Sequence, residues 1–111
     1  MTARLASGVM VTALLRRVVA EGGFGTVLHR GDTTAGSIAV VTRDRGETRV
    51  LERVLAPLGA GAGGYEWREA ASGDAIDGWI ERARRYDPDL WIIELDIPDA
   101  ARFVAETTET R

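Results

Sequence analysis

Val11, Leu14, Leu15 and Val18 fall at i, i+3, i+4 and i+7, the spacing that lines one face of a helix. Ser7 is placed to cap its start, and Gly22-Gly23 ends it where a left-handed backbone costs little. The period returns at Ile76, Trp79, Ile80 and Ala83. Asp74 is the expected cap of this second helix and Asp87-Pro88 its stop, with Arg82, Arg84 and Arg85 near the dipole's negative end. Elsewhere the apolar residues cluster in short runs that read as strands: Phe24–Arg30, Ser37–Arg43, Glu47–Ala56, Tyr65–Ala70 and Leu90–Leu95. Asp44-Arg45-Gly46 supplies a tight turn, Pro57 to Gly64 reads as a glycine-rich mobile loop, and the residues from Ala100 onward read as a frayed helix or loose tail.

The order is α-β-β-β-β-α-β in a single domain spanning residues 1–111. Short links between consecutive strands predict an α+β fold, a mainly antiparallel meander of about five strands with two helices packed on it. The strands do not alternate cleanly between apolar and polar. Ile38 and Val40 oppose Ala39 and Val41, Val50 and Val54 oppose Leu51 and Leu55, and Trp91 and Ile93 oppose Leu90 and Ile92. A sheet with one wet face would not be built this way. Either the helices lie on opposite faces or a second copy of the chain covers one, and the latter predicts a homodimer.

Composition narrows the chemistry. The 111 residues contain no lysine, cysteine, asparagine or glutamine, and His29 is the only histidine. This excludes a P-loop lysine, a Schiff-base nucleophile, thiolate catalysis, disulfides and any site with two histidine ligands from one chain. A net charge of −3 gives no bulk attraction to nucleic acid or anionic membrane. The apolar stretch Val9–Leu15 is followed, not preceded, by Arg16 and Arg17, the reverse of a signal peptide, and no run is long enough to span a membrane. A cytoplasmic location is therefore expected. No cofactor and no metal is implied.

Two segments carry candidate chemistry. In His29-Arg30-Gly31-Asp32-Thr33-Thr34-Ala35-Gly36, two glycines bracket an aspartate and two hydroxyls beside an arginine and the sole imidazole. Backbone amides there could form an anion nest, with Arg30 adding a bidentate contact and Arg16 or Arg17 approaching from the first helix. The structural alternative is a hairpin end in which Asp32 caps its own turn. The second segment, Asp87 to Asp96, holds Asp87, Asp89, Glu94 and Asp96. Four carboxylates could bind Mg²⁺, but at ~3.3 Å per residue Glu94 lies about 17 Å from Asp89, so a helix stop and solvent-facing charges explain them as well. His29 could serve as a general base, with no orienting partner evident in sequence. Gly59, Gly61, Gly63 and Gly64 resemble a phosphate loop by composition alone, since no lysine follows.

Arg4-Leu5-Ala6, Ala13-Leu14-Leu15-Arg16-Arg17, Arg30-Gly31-Asp32 with Ala35-Gly36, and above all Tyr86-Asp-Pro-Asp-Leu-Trp-Ile-Ile-Glu94 resemble a small alphaproteobacterial family known only as a domain of unknown function. The resemblance runs from about Arg4 to Asp96. It implies a bacterial cytoplasmic protein of this length and carries no activity, ligand or catalytic residue. Two features depart from the family pattern: the glycine content of Pro57–Gly64, and Met10 at a position often aromatic. The residues together favour a non-enzymatic interaction or assembly module, homodimeric. The alternatives are a small-ligand or anion-binding domain using Arg16, Arg17, His29, Arg30, Asp32, Thr33 and Thr34, or a small enzyme using His29 with Asp89 and Glu94.

Overall fold

The computed structural model describes residues 6–55 and 65–108. The predicted Pro57–Gly64 loop, its phosphate-loop glycines and the family-like Arg4-Leu5 lie outside the described residues.

Helix α1 spans Ser7–Ala20 and buries Val11, Leu14 and Val18 of the stripe that its spacing predicts, with Leu15 partly buried and Met10 joining them. It ends in a Schellman motif: the Gly23 amide donates to the Val18 carbonyl at 2.8 Å and the Gly22 amide to that of Val19 at 3.0 Å, with Gly22 at φ 89°. Ser7 is not its cap. Ala6 holds that position, and the Ser7 hydroxyl instead donates to the Gly36 carbonyl.

Five strands follow the sequence expectation to within two residues at each end: β1 Phe24–His29, β2 Ile38–Asp44, β3 Glu47–Leu55, β4 Tyr65–Ser72 and β5 Trp91–Asp96. Arg45 (φ 54°) and Gly46 (φ 84°) form the two-residue mirror-image turn that matches the twist of β2 and β3. Between β4 and β5 a single 3₁₀ turn, Gly73–Ala75, leads into α2, Ile76–Tyr86. Asp74 lies in that turn and makes no side-chain cap, because the helix proper opens two residues later, at Ile76.

The sheet order is β1-β5-β2-β3-β4. The expected meander therefore holds only for β2-β3-β4. Strand β5 returns through α2 to lie parallel to β2 and inserts between it and β1, which pairs antiparallel with β5. The sheet is mixed, although most of its pairings are antiparallel.

Of the two readings of the residues from Ala100, the helix holds and the loose tail does not: Ala100–Thr108 is a third helix, α3, with a buried face. Ala100, Phe103 and Val104 form its buried face, and its first turn is anchored where Asp44 accepts the Asp99 amide at 3.1 Å. Residues 109–111 lie outside the described residues.

Apolar residues on both faces of the strands now have a cause. Helices α1 and α3 cover Ile38, Val40, Trp91, Ile93 and Leu95 on one face. On the other, α2 covers Ala39, Val41, Val50 and Ile92 with Ile76, Trp79, Ile80 and Ala83. The two cores need no second subunit.

Candidate functional site

The Gly31–Gly36 loop is built as a staple. Asp32 folds its carboxylate onto the amides of Thr34 (3.1 Å) and Ala35 (2.8 Å), and its own amide donates to the Asp89 carbonyl at 3.0 Å. Its carbonyl accepts the Trp91 indole N–H at 2.7 Å and the Gly36 amide at 3.2 Å. The carbonyls of Thr33 and Thr34 take the amides of Gly8 (2.8 Å) and Ser7 (3.3 Å), two of the donors that a helix start leaves unpaired. The amides expected to form an anion nest at Asp32, Thr34, Ala35 and Gly36 are thus spent within the fold. The glycines serve close approach, since a Cβ at Gly31 or at Gly36 would meet the Asp89 carbonyl oxygen at 2.2 Å.

Because the loop pins the start of α1, one side of that helix faces β1 across a groove of about 970 Å³. Leu15 packs against Gly25 of β1 and Gly8 against Thr33 of the loop, so the helix touches both at opposite ends of this length. Arg16, Arg30, Thr33 and Thr34 line the groove together with Val9, Val27 and Trp91. The Arg30 guanidinium lies 5.5 Å from the centroid of the Trp91 ring, a distance at which the ring's negative face attracts it. Neither Arg16 nor Arg30 meets a carboxylate within ion-pair distance among the described residues, whereas Arg17, Arg43, Arg49, Arg68, Arg85 and Arg102 each do.

The remaining sequence candidates lie elsewhere. Arg17 points away from the groove and pairs with Glu21 at 2.8 Å. His29 is half-buried, and its Nδ1 lies 2.7 Å from the Leu90 carbonyl, which can only accept, so that nitrogen donates. No hydrogen bond or ion pair joins His29 to a carboxylate among the described residues. Asp87 caps the amide of Asp89 at 3.1 Å and Glu94 pairs with Arg43 at 3.1 Å, so the four carboxylates act separately. Among the described residues no group of three or more histidine or acidic side chains could hold a metal ion. Of the arginines near the end of α2, Arg85 pairs with Glu81 at 3.0 Å, and Arg82 borders a second cavity of about 560 Å³ under Trp79 and Ala83.

Trp91 is the groove residue that sequence reasoning missed. Its strand position marks it as core, and nothing local indicates that its ring underlies Arg30. Phe24 and Leu28 of β1 are 76% and 42% exposed. A strand with no charged residue gives no warning of an edge position.

The fold and groove define a small α+β protein with a mixed five-stranded sheet and an arginine-bearing cleft along one edge. The chain belongs to the family described as "Protein of unknown function (DUF1491)", matched over residues 5–105. It is similar to the crystal structure of a DUF1491 family protein from Caulobacter crescentus CB15, at 32% identity and TM-score 0.75, covering 90% of this chain and 94% of that one. The NMR structure of a DUF1491 family protein from the same organism gives the same identity and TM-score, with 92% and 94% covered. A solution structure of a protein from A. tumefaciens is 34% identical, with TM-score 0.69 and 87% and 89% covered. No curated protein matches the chain in sequence. The alphaproteobacterial resemblance of the sequence is thereby established, and no activity comes with it.

Proposed function

We propose that the protein is a non-enzymatic binding module whose α1–β1 groove takes an anionic group attached to an apolar body. The observation that carries this reading is the pairing of two guanidinium groups, Arg16 and Arg30, with an apolar wall of Val9, Val27 and Trp91 in one cleft. A guanidinium without a carboxylate partner is free to form a charge-assisted, bidentate contact with a carboxylate or phosphate. Trp91 holds Arg30 in place from below, which lowers the ordering cost of such a contact. The hydroxyls of Thr33 and Thr34 stand at the rim as further donors. The commitment of His29 to a backbone carbonyl and the separation of the carboxylates favour binding over catalysis.

The test is a thermal-shift and calorimetric series with octanoate and phenyl phosphate, which combine an anion with an apolar portion. Saturation at 100 times the dissociation constant stabilises the fold by about 2.7 kcal/mol. Arg16→Ala and Arg30→Ala should each weaken binding, while Arg17→Ala should not. Equal binding by all three variants, or no stabilisation by either compound, refutes the reading.

A further inference from the structure

The two edges of the sheet are guarded very differently. Strand β4, at one edge, carries Glu66, Arg68 and Glu69, the interspersed charge that keeps an exposed strand from pairing with other chains. Strand β1, at the other, reads Phe-Gly-Thr-Val-Leu-His and holds neither a formal charge nor a proline. Alternate amides and carbonyls of an edge strand point outward. Among the described residues, no backbone or side-chain bond outside the ladder reaches the amides or carbonyls of Phe24–His29. The chain thus leaves an edge without charge or proline directly beside its groove, regular from Phe24 to Val27 and shifted in register between Val27 and His29.

We propose that an extended acidic segment of a partner protein adds to β1 as a sixth strand. This inference rests on the groove reading and names its partner. Successive side chains of an added strand alternate between the two faces of the sheet. One set would face the α1 side, where Arg16 and Arg30 require carboxylates. The other would lie beside Phe24 and Thr26 on the α2 side, where an apolar residue covers the exposed Phe24 ring. The fitting segment therefore alternates acidic and apolar residues. A second copy of this chain is the poorer fit. Antiparallel pairing of β1 with its twin places both α1 helices on the same face, and with them four guanidiniums that lack carboxylate partners among the described residues, along one seam.

The test uses the full chain and an acetylated heptapeptide that alternates valine and glutamate, compared with the same peptide N-methylated at every amide. Calorimetry should detect binding of the unmodified peptide and at least a 10-fold loss on methylation. Outward amides of Phe24–His29 should exchange at least 10-fold more slowly in the complex. Exposed ion pairs are individually weak, so Arg16→Ala with Arg30→Ala should weaken binding about 10-fold. Equal binding of both peptides with no protection of β1 overturns strand addition and leaves the groove reading standing. Binding unaffected by the double substitution, with β1 protected, overturns the groove reading and the charge argument together. A dimeric mass with β1 amides already protected, or capture of anionic lipid vesicles but not the peptide, also overturns the proposal.

Discussion

Replacing Gly31 with alanine tests the account of the loop as a staple. The added Cβ would sit 2.2 Å from the Asp89 carbonyl oxygen and 2.7 Å from the Trp91 amide nitrogen. Ordinary contact therefore demands that one of two backbones retreat by about 1 Å, a displacement typical of overpacked sites. Neither is free to do so. Asp89 accepts the Asp32 amide at 3.0 Å, and the Trp91 amide donates to Ser37 at 2.8 Å. Retreat breaks the first bond and lifts the Asp32 carbonyl from the Trp91 indole. Steric strain plus one or two lost bonds costs about 2–4 kcal/mol. For a chain of this size that lowers Tm by ~10–20 °C. Gly46→Ala is the control: it has open space around it and a φ of 84°, so only left-handed strain applies, about 1–2 kcal/mol. Urea denaturation with both variants, read with the Trp91 indole proton by NMR, measures the difference. A Gly31→Ala protein within about 0.5 kcal/mol of the parent would mean that the loop does not lie against β5, and the groove it frames would go with it.

Phe103→Ala should cost about 3 kcal/mol in the same assay, because α3 buries that ring against the α1 side of the sheet; a near-neutral result would reduce α3 to a surface appendage. Thr108→Val removes the hydroxyl that accepts the Trp67 indole N–H at 2.8 Å and strands a donor, a loss of about 1–2 kcal/mol with a shifted indole resonance. Glu94→Gln should change stability by less than about 1 kcal/mol, since its pair with Arg43 is partly solvated, and the difference should fade in high salt. Asp32→Ala should cost about 1 kcal/mol through its two capped amides and leave ligand binding by Arg16 and Arg30 intact.

What could be read from the chain is what is decided locally. The stripe of α1, the Gly22-Gly23 stop and the Arg45-Gly46 turn each depend on neighbours within a few residues, and each was legible. The position of β5 was not, because its partners are chosen by α2 carrying the chain over the sheet, a decision written in no single segment. Helix α3 was legible only as one of two alternatives, a frayed helix or a tail: Ala100, Phe103 and Val104 stand at i, i+3 and i+4, a pattern its small and hydroxylated neighbours obscure. Of the site, the arginines and threonines stood out by type. Their division could not be foreseen, Arg17 going to Glu21 and Arg16 to the groove, since a one-residue step turns a helical side chain by about 100°.

The insertion of β5 has a consequence for how the chain is made. At about 5–20 residues per second, the ribosome delivers β5 about 3–10 s after β2 is complete. Until then β1 has no neighbour, and the flank of β2 that will receive β5 stays open while its other flank zips to β3. Ile38, Ala39, Val40 and Val41 are greasy on both faces and wait in the nascent chain with half their ladder unmade. The step that closes the sheet joins residues far apart in sequence, the kind of pairing that folds slowly. Synthesis thus passes through an interval in which the newborn chain is stickiest, and substitutions in β5 should lengthen that interval more than equal losses in the β2–β3 hairpin.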